Sequence, residues 1–159
     1  MALTKLNFGG NQQALVASDI PTLTSNKMPA GSVLQVVSDT PTSSLTTSST
    51  NYNFIISKAI TPSSTSSKIL IMAVVHGAAQ ASNVELKLAI HRGGTALTGE
   101  FKNYASQGGF IAQAIPCIEV DSPQTTSEVV YSIRGKVGAG SGTVSSNAVC
   151  TITLMEIAG

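Results

Sequence analysis

His76 and His91 are the only two histidines of this 159-residue chain, and neither belongs to a metal-binding spacing. Two imidazoles on one element grip an ion when they stand as H-x-x-x-H or H-E-x-x-H, and no such pair occurs. His76 closes an apolar run, and His91 stands beside Arg92 on what reads as the outward side of an alternating segment. Both read as surface residues with an apolar body and a polar tip. Cys117 and Cys150 are too far apart for a zinc knuckle, with no further Cys or His near either. They read as small buried apolar side chains, with an inter-strand disulfide as the alternative that spacing leaves open. The serines form no G-x-S-x-G elbow. Gly138 to Gly142 (GAGSG) lies between two strand patterns and lacks the Gly-Lys-Ser/Thr ending of a phosphate loop, so it reads as a flexible hairpin loop.

The acids Asp19, Asp39, Glu85, Glu100, Glu119, Asp121, Glu128 and Glu156 stand singly. Only folding would bring two together as a glycosidase pair. Three tyrosines, four phenylalanines and no tryptophan offer little stacking surface for sugars or bases. Tyr104, between Gly99 and Gly108-Gly109, is the best-placed aromatic. No nucleophile, metal or phosphate constellation emerges, so the chain reads as a protein without enzymatic activity or cofactor.

The elements that position these residues are strands. Charged residues make up 11% of the chain, while about a quarter is Ser or Thr. A disordered chain shows the reverse, with many charges and few Val, Ile and Leu. Hydroxyl and amide polarity beside abundant β-branched residues suits strands with neutral outer faces. A net charge of +1 without a basic run leaves out the electrostatic footprint of a nucleic-acid binder. The longest purely apolar run, Ile69 to Val75, is too short for a membrane helix, and no secretory h-region opens the chain. Neither nucleic acid nor membrane is an expected partner.

From Gly31 to Gly159 the period is two. Ser32 to Ser38 opens a strand, and a Ser/Thr/Pro-rich loop runs from Asp39 to Asn51. Tyr52, Phe54, Ile56 and Ile60 then share a face. Val84, Leu86, Leu88 and Ile90 alternate inward against Glu85, Lys87, Ala89 and His91 outward. Phe110, Ala112, Ala114, Ile118 and Val120 share a face interrupted by Pro116, which marks an edge strand or a bulge. Val129, Tyr131, Ile133 and Val137 line the next strand, and Cys150, Ile152 and Leu154 the last. Seven or eight short strands without a convincing helix make an all-β, jelly-roll-like β-sandwich head.

Two segments depart from this pattern. Residues 1–30 carry Leu3, Leu6, Phe8, Leu15, Val16, Ile20, Leu23 and Met28 without sustained period, broken by Gly9-Gly10, Pro21 and Pro29. Such a segment cannot bury its own apolar groups, so it reads as a short irregular N-terminal arm that attaches to a partner surface. Ser67 to His76 is apolar on both sides: Ile69, Ile71, Ala73 and Val75 on one, Leu70, Met72 and Val74 on the other. A strand apolar on both faces is covered on both. A sandwich core covers one, so Leu70, Met72 and Val74 are read as a subunit interface, with a loop or the arm as the alternative cover. Val149, Met155 and Ile157 extend the same outer side.

Met28 to Val37 (MPAGSVLQVV), Ala59 to Ile71 (AITPSSTSSKILI), Leu88 to Leu97 (LAIHRGGTAL) and Ala148 to Ala158 (AVCTITLMEIA) resemble a recurrent domain of tailed-phage virion proteins. That domain occurs in tail-fibre-like and capsid-surface proteins, notably of marine and cyanobacterial phages. Asp19 to Met28 (DIPTLTSNKM) resembles the connectors that precede it. The resemblance brings no catalytic residues. It implies a place on the virion surface, homotrimeric association, and the major capsid protein or tail proteins as partners, with release at lysis in place of secretion. A fibre tip that grips host surface glycans is the alternative within this class, and a polysaccharide-degrading enzyme the alternative outside it.

Overall fold

The computed structural model describes residues 27–40, 45–79, 83–97, 99–104, 111–138, 144–146 and 150–159. They form eleven strands: β1 Val33–Asp39, β2 Leu45–Thr47, β3 Asn53–Ile60, β4 Lys68–Ala79, β5 Glu85–Arg92, β6 Thr95–Ala96, β7 Phe101–Tyr104, β8 Ile111–Asp121, β9 Val129–Val137, β10 Val144–Ser146 and β11 Thr151–Ile157. No helix among the described residues is long and apolar enough to cross a membrane.

Setting aside β2, β6 and β10, which are two or three residues long, eight strands remain. They pair first with last (β1 with β11), second with seventh (β3 with β9), third with sixth (β4 with β8) and fourth with fifth (β5 with β7), always antiparallel. A long hairpin rolled up on itself gives this order. The fold is a jelly roll. Pairing of β4 with β11 and of β5 with β9 completes two sheets, with rows β8-β4-β11-β1 and β7-β5-β9-β3. The short strands lengthen these rows: β10 continues the β11 row along β4, β2 pairs with β10 on its far side, and β6 follows β7 along β5.

The core lies between the sheets. Ile69, Ile71 and Val75 of β4 and Ile152 and Leu154 of β11 face Leu86, Leu88 and Ile90 of β5 and Tyr131 and Ile133 of β9, all buried. At Gly77 the sheets come so close that a Cβ would stand 2.4 Å from Leu86 Cδ2. Gly93 takes φ 59 in the tight turn between β5 and β6, a left-handed conformation for which glycine is the default residue.

Two sequence expectations need correction, one at Phe54 and one on β5, and the structure decides a further point, on β8, that the alternation left open. Phe54 is 56% exposed, because the register shifts between Phe54 and Ile56; Ile55 and Ile56 are both buried. The Ala114, Ile118 and Val120 face of β8 is the outer one, and Ile115 and Cys117 point into the core. Glu85, Ala89 and His91 lie on the outer side of β5, yet all three are buried, because residues around Tyr52 and Glu100 fold over them. The Asp39 to Asn51 loop also holds β2. Pro116 does sit at an edge: among the described residues β8 pairs with β4 alone.

Candidate assembly surface

The strand with two apolar faces is β4. Its inner face is sealed in the core, and the register fixes the neighbours of Leu70, Met72 and Val74 on the outer one. Leu70 stands between Met155 of β11 and Val120 of β8; Met72 between Thr153 and Ile118; Val74 between Thr151 and Pro116. Across β11, Val36 of β1 lies opposite Met155 and Val33 opposite Ile157. One apolar row, Val36-Met155-Leu70-Val120, therefore crosses the whole sheet.

Val33, Val36 and Val120 are 52% exposed and Ile118 57%. They are four of the six exposed large hydrophobic residues described, all on one sheet face. Lys68 and His76, at opposite ends of the β4 row, are the titratable residues described on this face. Four rows at about 4.8 Å spacing and some six residues of about 3.3 Å rise span on the order of 400 Å². The largest apolar patch on a typical monomer is about 300–600 Å² and is often functional.

Leu70, Met72 and Val74 are thus brought together at the centre of the patch. Val33, Val36, Ile118 and Val120 complete it and were missed by sequence reasoning. The alternation in β8 separates Ile118 and Val120 from Ile115 and Cys117 without saying which pair faces the core. Of the arm residues, Met28 is half-buried. Leu3, Leu6, Phe8, Leu15, Ile20 and Leu23 lie outside the described residues, as do Val149 and the Ala139 to Gly142 part of the glycine-rich loop.

The outer face of the other sheet is built in the opposite way. Lys136, Lys87 and Lys102 form one cross-strand row on β9, β5 and β7. Like charges side by side repel, and two carboxylates interleave with them. Glu100 binds Lys87 at 2.8 Å and Lys136 at 2.9 Å and accepts a 2.8 Å hydrogen bond from the Tyr52 hydroxyl. Glu85 lies 3.8 Å from Lys87 and 3.6 Å from Lys102. Lys136 sits 4.2 Å over the Tyr52 ring, whose edge meets His91. Lys87 first, then Lys136 and Tyr52, hold the Glu100 carboxyl down to about 2. Burial and the Glu100 carboxylate raise Tyr52, and burial lowers His91. The fold thus gathers two acids, Glu85 and Glu100, around Lys87.

Two further polar clasps tie the sandwich together. Tyr131, rooted in the core, donates a 2.6 Å hydrogen bond to Asp121 of β8, which Arg92 of β5 also binds at 2.9 and 3.1 Å. Glu156 is wholly buried in β11 and accepts from Ser63 N at 2.6 Å, Ser63 Oγ at 2.7 Å, Ser67 Oγ at 2.7 Å and Gln35 Nε2 at 2.6 Å. Burial alone raises its carboxyl, but these donors outweigh burial and the net shift is downward. Cys117 and Cys150 are free, buried thiols, so the disulfide alternative falls. Burial pushes Cys117 up to about 12. Among the described residues no three His, Cys, Asp or Glu side chains form a group that could hold a metal ion.

No family model and no curated protein matches the chain. Among solved structures it is similar to the T=1 particles derived from infectious bursal virus, with 11% identity, a TM-score of 0.42, and coverage of 79% of this chain and 36% of that one. It is also similar to the infectious bursal disease virus Gx strain, with 13% identity, a TM-score of 0.39, and coverage of 79% and 37%. The chain spans little more than a third of the length of either.

Proposed function

We propose that this chain is a non-enzymatic structural subunit of a virus particle that works by assembling with copies of itself and displaying a surface. In the fuller form of this reading it is a homotrimeric surface component of a tailed-bacteriophage virion, held to capsid or tail by its arm, residues 1–30. The observation that carries it is the apolar face of the β8-β4-β11-β1 sheet, which no described residue covers, on a sandwich with its own core between the sheets. A chain that spends Leu70, Met72, Ile118 and Val120 on an outer face loses their burial energy unless something covers them, and a second subunit is the cover this reading assigns. The jelly roll is a scaffold shared by viral capsid domains, lectins and cupins, so the fold is compatible with this role and does not select it. The segments resembling phage virion proteins supply that choice.

Deletion of Met1 to Pro29 tests the attachment half. The shortened chain is expected to stay folded and to assemble with itself, yet to fail to bind particles that lack this protein. If it rebinds such particles as well as the full chain does, the arm is not the anchor.

A further inference from the structure

We infer that His91 is an acid-operated latch: neutral, it seats the Tyr52 ring over the outer face of β5, and once protonated it releases that ring and opens the face. The latch lies on the β7-β5-β9-β3 sheet and does not depend on how copies of the chain assemble.

The imidazole is enclosed. His91 is 4% exposed although it stands on the outer side of its strand, because the Tyr52 ring lies against it, 5.0 Å between centroids and 71° between planes. The roof is hung from one side. Tyr52 belongs to the short segment between β2 and β3 and reaches across the face through the His91 ring, the Lys136 ammonium and, by its hydroxyl, Glu100. Beneath it β5 and β9 are paired without a break from Leu86 to Arg92. When the contact at His91 turns unfavourable, the side-hung ring gives way before the paired strands do.

The groups that face the imidazole set the direction of the switch. From β9 come Ser132, directly opposite His91, and Arg134, whose guanidinium reaches to the Gly93 carbonyl at 3.3 Å; Lys136 lies beyond, over the Tyr52 ring. From β3 come Phe54 and Ser57, opposite Arg134 and Ser132 and uncharged, and from β6 comes Ala96. β7 pairs with β5 only from Glu85 to Leu88 and does not reach His91. On β5 itself, Lys87 binds Glu100 and Arg92 binds Asp121. Glu100 stands behind Tyr52 and already serves Lys87, Lys136 and the Tyr52 hydroxyl. Among the described residues no carboxylate pairs with the His91 ring, whose Nδ1 has a long 3.4 Å contact with the Ala89 carbonyl.

A proton on His91 therefore puts a buried cation beside a guanidinium without a counter-charge. Burial first, and Arg134 with it, hold the imidazole below its ordinary 6.5 against the pull of the Ala89 carbonyl. The closed roof is fully favoured above about pH 6.5 and loses ground as pH falls from there to the folded value, because only the open form takes up the proton readily. Glu100, at about 2, keeps its charge throughout. Opening bares Ala89, now 1% exposed, and adds a charged His91 to Arg134 and Lys136 as a cationic strip.

NMR of the full chain, followed from about pH 7.5 to about pH 5 on the His91 and Tyr52 rings, tests the latch. A cross-peak between the two rings is expected at neutral pH and is expected to be lost as His91 titrates, with a midpoint below 6.5. Amides 51–53 are expected to lose protection from hydrogen exchange over the same range. His91→Gln, which takes up no proton, is expected to keep that protection in acid. Arg134→Gln is expected to raise the His91 midpoint towards 6.5 and to preserve the cross-peak to lower pH, and it decides alone should His91→Gln fail to fold. A cross-peak that survives the titration of His91, or a midpoint at or above 6.5, overturns the inference. So does acid loss of protection that persists in a folded His91→Gln, or a midpoint that Arg134→Gln leaves unmoved.

Discussion

Replacing Glu156 with Gln tests whether a buried carboxylate held by neutral donors stabilises this fold. Three donors converge on Oε1 and one, Gln35 Nε2, on Oε2. A glutamine keeps its carbonyl at the crowded oxygen, which sets its NH₂ against the Gln35 NH₂. Gln35 cannot turn over without giving up its 2.7 Å bond to the Thr61 carbonyl, so one hydrogen bond is lost either way. A buried donor left unpaired costs about 1–3 kcal/mol, and the three surviving bonds lose their charge assistance. Relief from burying an ion offsets part of this. The expected net loss is about 2 kcal/mol, or about 4–8 °C in melting temperature for a chain of this size. Urea and thermal unfolding at one fixed protein concentration measure it, since assembly makes melting concentration-dependent.

The sign of the pH dependence follows from the lowered carboxyl. Its ordinary value is 4.5, and the folded value lies below that. The stabilisation is therefore present above about pH 4.5 and is lost as pH falls through the folded value. Glutamine does not titrate, so the gap between the two proteins is expected to hold at neutral pH and narrow below about pH 4.5. A gap under about 0.5 kcal/mol at pH 7, or one unchanged at pH 3, would refute the reasoning.

Tyr131→Phe removes a 2.6 Å hydrogen bond to the ionised Asp121 and is expected to cost about 1.5–3 kcal/mol in urea unfolding; a neutral result would mean that Arg92 alone secures that end of the sandwich. Gly77→Ala places a methyl 2.4 Å from Leu86 Cδ2 and 3.2 Å from Ile115 Cδ1, and is expected to cost about 1–3 kcal/mol through overpacking, read by the same assay. Cys117 and Cys150 are expected to react with a thiol reagent only after denaturation, because both are buried and burial raises both thiols; rapid labelling of the native protein would contradict this.

The parts of this fold legible in the sequence are those set by one strand at a time. Val84 to Ile90 alternates cleanly, and Ile69 to Val75 is apolar on both sides, one in the core and one on the outer face of its sheet. What no single strand carries is pairing order, so a jelly roll was legible only as a class. Parity inverts at Phe54 because a register shift inserts an extra residue, which no periodicity shows. Glu85 and His91 look outward by pattern and are outward, but residues distant in sequence roof them over. The apolar face was visible through Leu70, Met72 and Val74. Its full extent, through Val36 and Ile118, needed the register.

An electron cryo-microscopy map of the assembled particles tests the central claim most directly. The expected density is three copies around a three-fold axis, β8-β4-β11-β1 faces turned inward, with the Met1 to Ala30 segments reaching the capsid or tail. Density for single copies whose β8-β4-β11-β1 face is open to solvent, or particles that do not contain the chain, would contradict it.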